Sequence, residues 1–120
     1  MQRRLTLATK MMTSRISSKK PIAERDIERY MARRVREIFG VRAIFRKVTW
    51  QGRRSAPDRV LMIPPTECSY AAQIWVELKR PGKTPTLAQK AEHKRMREAG
   101  CTVRVVSSFE DVDKIISDYY

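Results

Sequence analysis

The chain has 120 residues, which is enough for one hydrophobic core and leaves little room for a second. Apolar residues make up 42% of it, which argues against a chain that is disordered throughout, and no apolar run approaches the roughly 18 residues of a membrane span. Lysine and arginine number 26 against 13 acidic residues, and this net charge of +13 favours a polyanionic partner such as nucleic acid.

The first 20 residues carry six basic side chains and no acidic one. Such a segment is typical of a basic arm that lies along phosphates, and its serine and threonine content also resembles an organelle transit peptide. We favour the arm, because residues 21–120 still hold 20 basic against 13 acidic groups. The predicted division is a basic N-terminal arm over 1–20 and one folded domain over 21–120.

Hydrophobic periodicity and turn residues predict seven elements in this domain. They are a helix from Pro21 to Gly40, strands over 42–50, 58–63 and 73–79, a helix over Thr86–Ala99, a strand over 101–107, and a helix over Phe109–Tyr119 capped by Ser107 or Ser108. The order α-β-β-β-α-β-α predicts an α/β fold, a small sheet flanked by helices. That order alone indicates no unique function.

Three polar residues stand at informative positions on two consecutive strands. Side chains two apart on a strand point the same way, so Glu77 and Lys79 share the face opposite the apolar residues of their strand. Asp58 begins the preceding strand, and a short connection favours pairing of the two strands. Two carboxylates and one ammonium are therefore expected to meet at one sheet edge.

Hydrolysis of a phosphodiester requires such a set of groups. Magnesium prefers carboxylate and water oxygens, and a lysine can orient the attacking water or offset developing negative charge. The carbonyl of Leu78, between Glu77 and Lys79, is a further candidate ligand. The alternative is a solvated Glu–Lys pair worth at most about 1 kcal/mol.

Several motifs in the same order resemble the VRR-NUC domain of the PD-(D/E)xK nuclease superfamily. The matching segments are Arg53–Val60, Trp75–Lys83, Leu87–Gln89, Ala99–Val103 and Phe109–Val112, and the resemblance covers roughly residues 22–115. It implies a restriction-endonuclease-like fold, a mixed β-sheet flanked by helices.

The resemblance also implies a Mg²⁺-dependent endonuclease in which Mn²⁺ can substitute. Asp58 and Glu77 would be metal ligands and Lys79 the catalytic lysine. A glutamate of the first helix usually completes such a site, and Glu24 and Glu28 compete for this role. Glu24 is favoured, because it lies at the edge of the buried stripe and begins a Glu-Arg-x-Ile pattern similar to that of archaeal junction resolvases.

The sequence also predicts roles for several residues around these motifs. Gln89 occupies a position at which the family has a site-supporting glutamine. His93, one turn later, is expected to be a surface or packing residue. Trp50 is expected to pack in the core, with base stacking as the alternative. The residues expected to contact DNA phosphates are Arg53, Arg54, Arg59, Arg80 and Lys83.

Free-standing members of this family resemble Holliday junction resolvases in size and charge. The expected function is therefore a structure-selective DNA endonuclease that acts as a homodimer on branched DNA such as a four-way junction. The alternatives are a flap or nicking nuclease acting as a monomer and a non-catalytic DNA-binding module. Cys68 and Cys101 form no close pair, which fits a reducing compartment, and the expected location is the cytoplasm of a bacterial or phage-infected cell.

Overall fold

The computed structural model describes residues 20–120, so the predicted basic arm lies outside the described residues except for Lys20. The predicted element order is confirmed. The elements are α1 (Glu24–Phe39), β1 (Ile44–Lys47), β2 (Arg59–Ile63), β3 (Ala72–Leu78), α2 (Leu87–Glu98), β4 (Thr102–Val106) and α3 (Phe109–Tyr119).

Strand β1 is shorter than the predicted strand over 42–50. It ends at Lys47, and the next residue keeps one ladder contact, from the Val48 N–H to the carbonyl of Asp58 at 2.8 Å. The chain then turns, and the ring of Trp50 packs against that of Trp75 with 5.0 Å between centroids. Residues 48–50 therefore belong to the β1–β2 loop, because the tryptophan packs back onto the sheet and does not extend its edge.

The four strands form one mixed sheet in the order β1-β2-β3-β4. The first two pairings are antiparallel, and β3 pairs with β4 in parallel through the crossover helix α2. Strands β2 and β3 are aligned so that Arg59 lies opposite Val76. One further step in this register places Asp58 opposite Glu77, and residues directly opposite each other in an antiparallel pair share a face.

Helices α1 and α3 cover one face of the sheet. In α1, Ile27, Met31 and Val35 recur at four-residue steps and are buried, which is the stripe that an amphipathic helix presents to a core. Complete burial of each such side chain contributes roughly 1.5–3 kcal/mol. The core is completed by apolar residues of β2, β3, β4 and α3, namely Leu61, Ile63, Ile74, Val76, Leu78, Val106, Val112, Ile115 and Ile116.

Helix α2 packs against the β4 side and lies on the opposite face, where Glu77 points. Its buried residues are Glu92, His93 and Met96, so two of the three are polar. A helix that buries polar groups against a sheet must provide them with partners, because an unpaired buried polar group costs about 1–3 kcal/mol. Those partners belong to the site described below.

Local backbone features fix the C-terminal end of α1 and the N-terminal start of α3. Gly40, with φ of 86°, ends α1 in a conformation that a side chain would strain. Of the two predicted caps for α3, Ser108 is the one used. Its Oγ accepts from the Asp111 N–H at 3.0 Å, and the Asp111 carboxylate accepts from the Ser107 N–H at 2.9 Å.

A hydrogen bond joins α1 to α3, since the hydroxyl of Tyr30 donates to Asp113 at 2.7 Å. Burial, and then the contact with Asp113, raise the pKa of Tyr30 from 10.0 to about 12. The fold thus favours the protonated phenol. The contribution of protonated Tyr30 to the free energy of unfolding is complete below pH 10, where the unfolded tyrosine begins to ionise. It is lost as the pH rises towards 12.

We therefore expect Tyr30→Phe to lower the free energy of unfolding by about 1 kcal/mol at neutral pH and by progressively less above pH 10. Urea unfolding of both proteins between pH 8 and 11 measures this difference. Tyr70→Phe is the matched control, because Tyr70 is almost fully exposed. A stability difference that stays constant across this range would contradict the expectation.

None of the described helices combines the length and apolar character needed to cross a bilayer.

Candidate active site

Asp58, Glu77 and Lys79 come together at the end of β3. The Lys79 Nζ lies 3.8 Å from the Glu77 Oε2, and the two side chains are only 15% and 9% exposed. Asp58 and Glu77 line the same cleft, whose volume is about 280 Å³. Lys79 follows the last residue of β3, and its N–H donates to the carbonyl of Val106 at 2.8 Å, so the parallel ladder with β4 extends as far as the lysine.

The environment of Glu77 disfavours an unneutralised carboxylate. Burial raises the pKa of Glu77, Lys79 lowers it, and the charges of Asp58 and Glu24 raise it, so that together they move it from 4.5 to about 7. The three carboxylates are accompanied by two cationic groups, Lys79 beside Glu77 and Arg59 beside Asp58, so one negative charge remains in excess. A bound cation would offset that excess.

The donor set fits a hard divalent cation with few protein ligands. Within residues 20–120, no three His, Cys, Asp or Glu side chains converge closely enough to form a metal site on their own. Magnesium, however, is usually bound through one or two carboxylates together with water and substrate phosphates. Asp58 and Glu77 can provide those carboxylates. Leu78 has its side chain in the core, so only its main-chain carbonyl could contribute.

The two candidate glutamates of α1 have different surroundings. Glu24, the first residue of the helix, is exposed and close enough for its charge to affect Glu77. Glu28 forms an ion pair with the guanidinium of Arg59. Its partner is thus a residue of β2, on the neighbouring sheet. This arrangement favours Glu24 as the acid nearest the site.

Arg59 is placed differently from the other residues expected to contact DNA. It is 8% exposed, pairs with Glu28, and has its Nη1 2.9 Å from the Asp58 Oδ1. A buried guanidinium with two carboxylate partners is poorly available to phosphates, so this placement does not fit the predicted DNA contact. The contacts of Arg59 instead hold the Asp58 carboxylate against β2.

Helix α2 contributes two residues to the site. Gln89 lines the cleft, but its Oε1 accepts from the Thr86 N–H at 2.9 Å while the Thr86 Oγ1 accepts from the Gln89 N–H at 3.1 Å. Its carbonyl oxygen is thus used in a capping box. His93 is buried beside Glu77. Burial, and then the charges of Arg97 and Lys79, lower the pKa of His93, which favours the neutral form of its ring.

Exposed basic residues border the cleft. Arg53 and Arg54 belong to its lining, and the Arg53 Nη1 lies 3.7 Å from the buried Glu92 of α2. Arg80 and Lys83 are exposed in the turn that follows β3, where the Lys83 N–H donates to the Arg80 carbonyl at 3.1 Å. Arg54, Arg80 and Lys83 are exposed and form no ion pair among the described residues, so they remain available to a polyanion.

The β1–β2 loop is closed by a hydrogen bond next to Asp58. The indole N–H of Trp50 donates to the carbonyl of Pro57 at 2.7 Å, and its ring packs on Trp75. Trp50 thus packs on a neighbouring ring, but it is half-buried and lines the cleft, so it does not lie in the core as predicted. The contact also holds the peptide that precedes Asp58.

Comparison with known proteins agrees with this geometry. The chain is 36% identical over 95 residues to "Putative nuclease p44" of Acyrthosiphon pisum secondary endosymbiont phage 1, a match that covers 79% of this chain and 92% of the relative. A solved structure described as "VRR_NUC domain" superposes with a TM-score of 0.66 at 33% identity, over 81% of this chain and 97% of the other. The chain belongs to the VRR-NUC family of nuclease domains. No protein-family model matches it.

In this VRR-NUC domain, sequence reasoning missed two features of the site. The ion pair between Glu28 and Arg59 joins residues 31 positions apart, and no local pattern predicts it. The contact of His93 with Glu77 had a detectable signal, because residue 93 is one helical turn from Gln89 and therefore shares its face. That spacing places the histidine over the strand that carries Glu77.

Proposed function

We propose that this VRR-NUC domain is a magnesium-dependent DNA endonuclease that cuts branched DNA of the four-way junction type and acts as a homodimer. The observation that carries the proposal is the cleft in which Asp58 and Glu77 lie beside Lys79, bordered by Arg53 and Arg54. Carboxylates that can hold a hard cation, an adjacent ammonium and exposed guanidinium groups together match what a phosphodiester substrate requires.

Each group has a distinct role in this proposal. Asp58 and Glu77, with Glu24 nearby and the Leu78 carbonyl available, would hold Mg²⁺ or Mn²⁺. When bound, the cation supplies Lewis-acid activation of water and offsets negative charge on the phosphate. Lys79 orients the attacking water or stabilises the developing charge. The cleft-lining arginines hold the flanking phosphates, which positions the duplex without reading its sequence.

Symmetry connects the proposed homodimer with the proposed junction substrate. Resolution of a four-way junction requires cuts at two symmetry-related positions, and a two-fold dimer presents two identical sites at once. The similarity to a phage-encoded relative supports action in the cytoplasm of an infected bacterial cell, where branched replication or recombination products would be the substrates. The net charge of +13 supports rapid, salt-sensitive capture of such DNA.

Incubation of the purified protein with end-labelled four-way junction, flap, nicked duplex and linear duplex, each with Mg²⁺ and with EDTA, tests the proposal. We expect paired nicks on two opposing strands of the junction, only with Mg²⁺, and an Asp58→Asn variant that binds without cutting. Light scattering gives the oligomeric state. Junction binding without cleavage of any substrate, with Mg²⁺ or Mn²⁺, would indicate a DNA-binding module. Preferred cutting of the flap by a monomer would replace the junction assignment.

A further inference from the structure

We propose that His93 is a positioning residue for Glu77, which it holds through a hydrogen bond in the orientation that binds the divalent cation. This inference rests on the proposed function, since it assigns a partner to one of the metal ligands named there. Residues that orient a metal-binding carboxylate contribute to metal affinity although they do not touch the ion.

The two oxygens of Glu77 have separate partners. The His93 Nε2 lies 3.3 Å from the Oε1, and the Lys79 Nζ lies 3.8 Å from the Oε2. Lys79 lies two residues after Glu77 along the same strand, whereas His93 approaches the carboxylate from helix α2, which packs over that face of the sheet. A glutamate side chain has several freely rotating bonds, so contacts from two directions restrict it far more than the lysine alone would.

The position of His93 distinguishes this role from core packing. The side chain is 2% exposed, and among the described residues its one side-chain hydrogen bond goes to Glu77. A ring with two nitrogens at a buried position is unfavourable unless it is paired, so an apolar residue would serve packing better. Helix α2 thus buries a polar group where the site needs one.

With a cation bound and Glu77 charged, the contact also predicts the tautomer of the ring. A neutral histidine carries one N–H, and a charged Glu77 can only accept, so the proton belongs on Nε2. His93 is the single histidine of the chain, and its ring signals in a tag-free protein therefore need no assignment. Long-range proton–nitrogen correlation spectra of the Mg²⁺-loaded protein are expected to report the Nε2–H form.

Mn²⁺ titration of the DNA-free protein by calorimetry tests the role directly. We expect His93→Leu, which fills similar space without a donor, to weaken Mn²⁺ affinity about 10- to 100-fold. His93→Gln, whose amide nitrogen can reach the same oxygen, is expected to recover most of that affinity. Met96→Leu is the matched control, because Met96 is a buried residue of the same helix without a polar contact, and it should bind Mn²⁺ as the wild type does.

The outcomes separate the inference from the function on which it rests. Wild-type protein that binds no Mn²⁺ and cuts no DNA would overturn the proposed function and the inference with it. Wild-type protein that binds Mn²⁺ while His93→Leu binds it equally well would overturn the inference alone. If the leucine variant does not fold, the tautomer decides, since an Nδ1–H ring in the Mg²⁺-loaded wild type rules out the hydrogen bond to a charged Glu77.

Discussion

Lys79→Met is expected to reduce the single-turnover rate of DNA cleavage by about 1,000-fold or more while DNA binding persists. The Lys79 ammonium is held 3.8 Å from the Glu77 carboxylate and is the one lysine or arginine side chain paired with it among the described residues. Methionine keeps most of the apolar stem, so the variant removes the charge and the donors with little change in packing. Gel analysis of labelled junction with enzyme in excess measures the rate, and fluorescence anisotropy without added metal measures binding.

Lys114→Met is the matched control for this variant. Lys114 is exposed on α3, across the sheet from the cleft, and pairs with Asp118 at 2.7 Å. Its replacement removes the same unit of charge from the protein and should leave the cleavage rate close to that of the wild type. Cleavage by Lys79→Met within about tenfold of the wild-type rate would show that the lysine does not take part in the chemical step.

Leu61→Ala is expected to lower the free energy of unfolding by roughly 2–5 kcal/mol. Leu61 is completely buried in the central strand β2, beneath α1 and α3, where truncation leaves a cavity that a rigid sheet cannot close. The loss is a large part of the roughly 5–15 kcal/mol that stabilises a domain of this kind. Urea unfolding followed by tryptophan fluorescence and by circular dichroism measures the difference.

Met62→Ala is the matched control, because it truncates a side chain of the same strand that is not buried in the core. Met62 is the next residue of β2, points to the opposite face and is 38% exposed. Its truncation should cost much less than that of Leu61 because little apolar surface returns to water. Similar losses in the two variants would mean that the core lies elsewhere than between β2 and the two helices α1 and α3.

The elements near the site were predictable because their signals are local. Alternation over 73–79 predicted that Glu77 faces away from the core residues, and the buried Ile74 and Val76 confirm that assignment. The short connection from β2 to β3 predicted their pairing, which is antiparallel in the structure. Period and connection length are properties of neighbouring residues, so they can be identified from one sequence.

The contacts that support Asp58 and Glu77 were not predictable in the same way. Arg59 was expected to contact DNA because basic residues next to a nuclease motif usually do so, yet in the structure it pairs with Glu28 of α1. His93 was expected on the surface or in packing; it is buried, and the sequence did not indicate its contact with Glu77. Both contacts depend on which helix packs over which strand and on the positions along the two elements that meet. The packing of the whole domain decides this.

The bond from Trp50 to the carbonyl of Pro57 has a consequence for how such domains can diversify. Ala56 and Pro57 are buried, whereas Gln51 to Arg54 project into solvent. The hydrogen bond between Trp50 and Pro57 therefore separates the exposed loop tip, residues 51–54, from strand β2. Tips of other length or composition could be grafted there without displacing the carboxylate at position 58, so preference for one DNA shape over another can change while the hydrolytic apparatus is inherited intact.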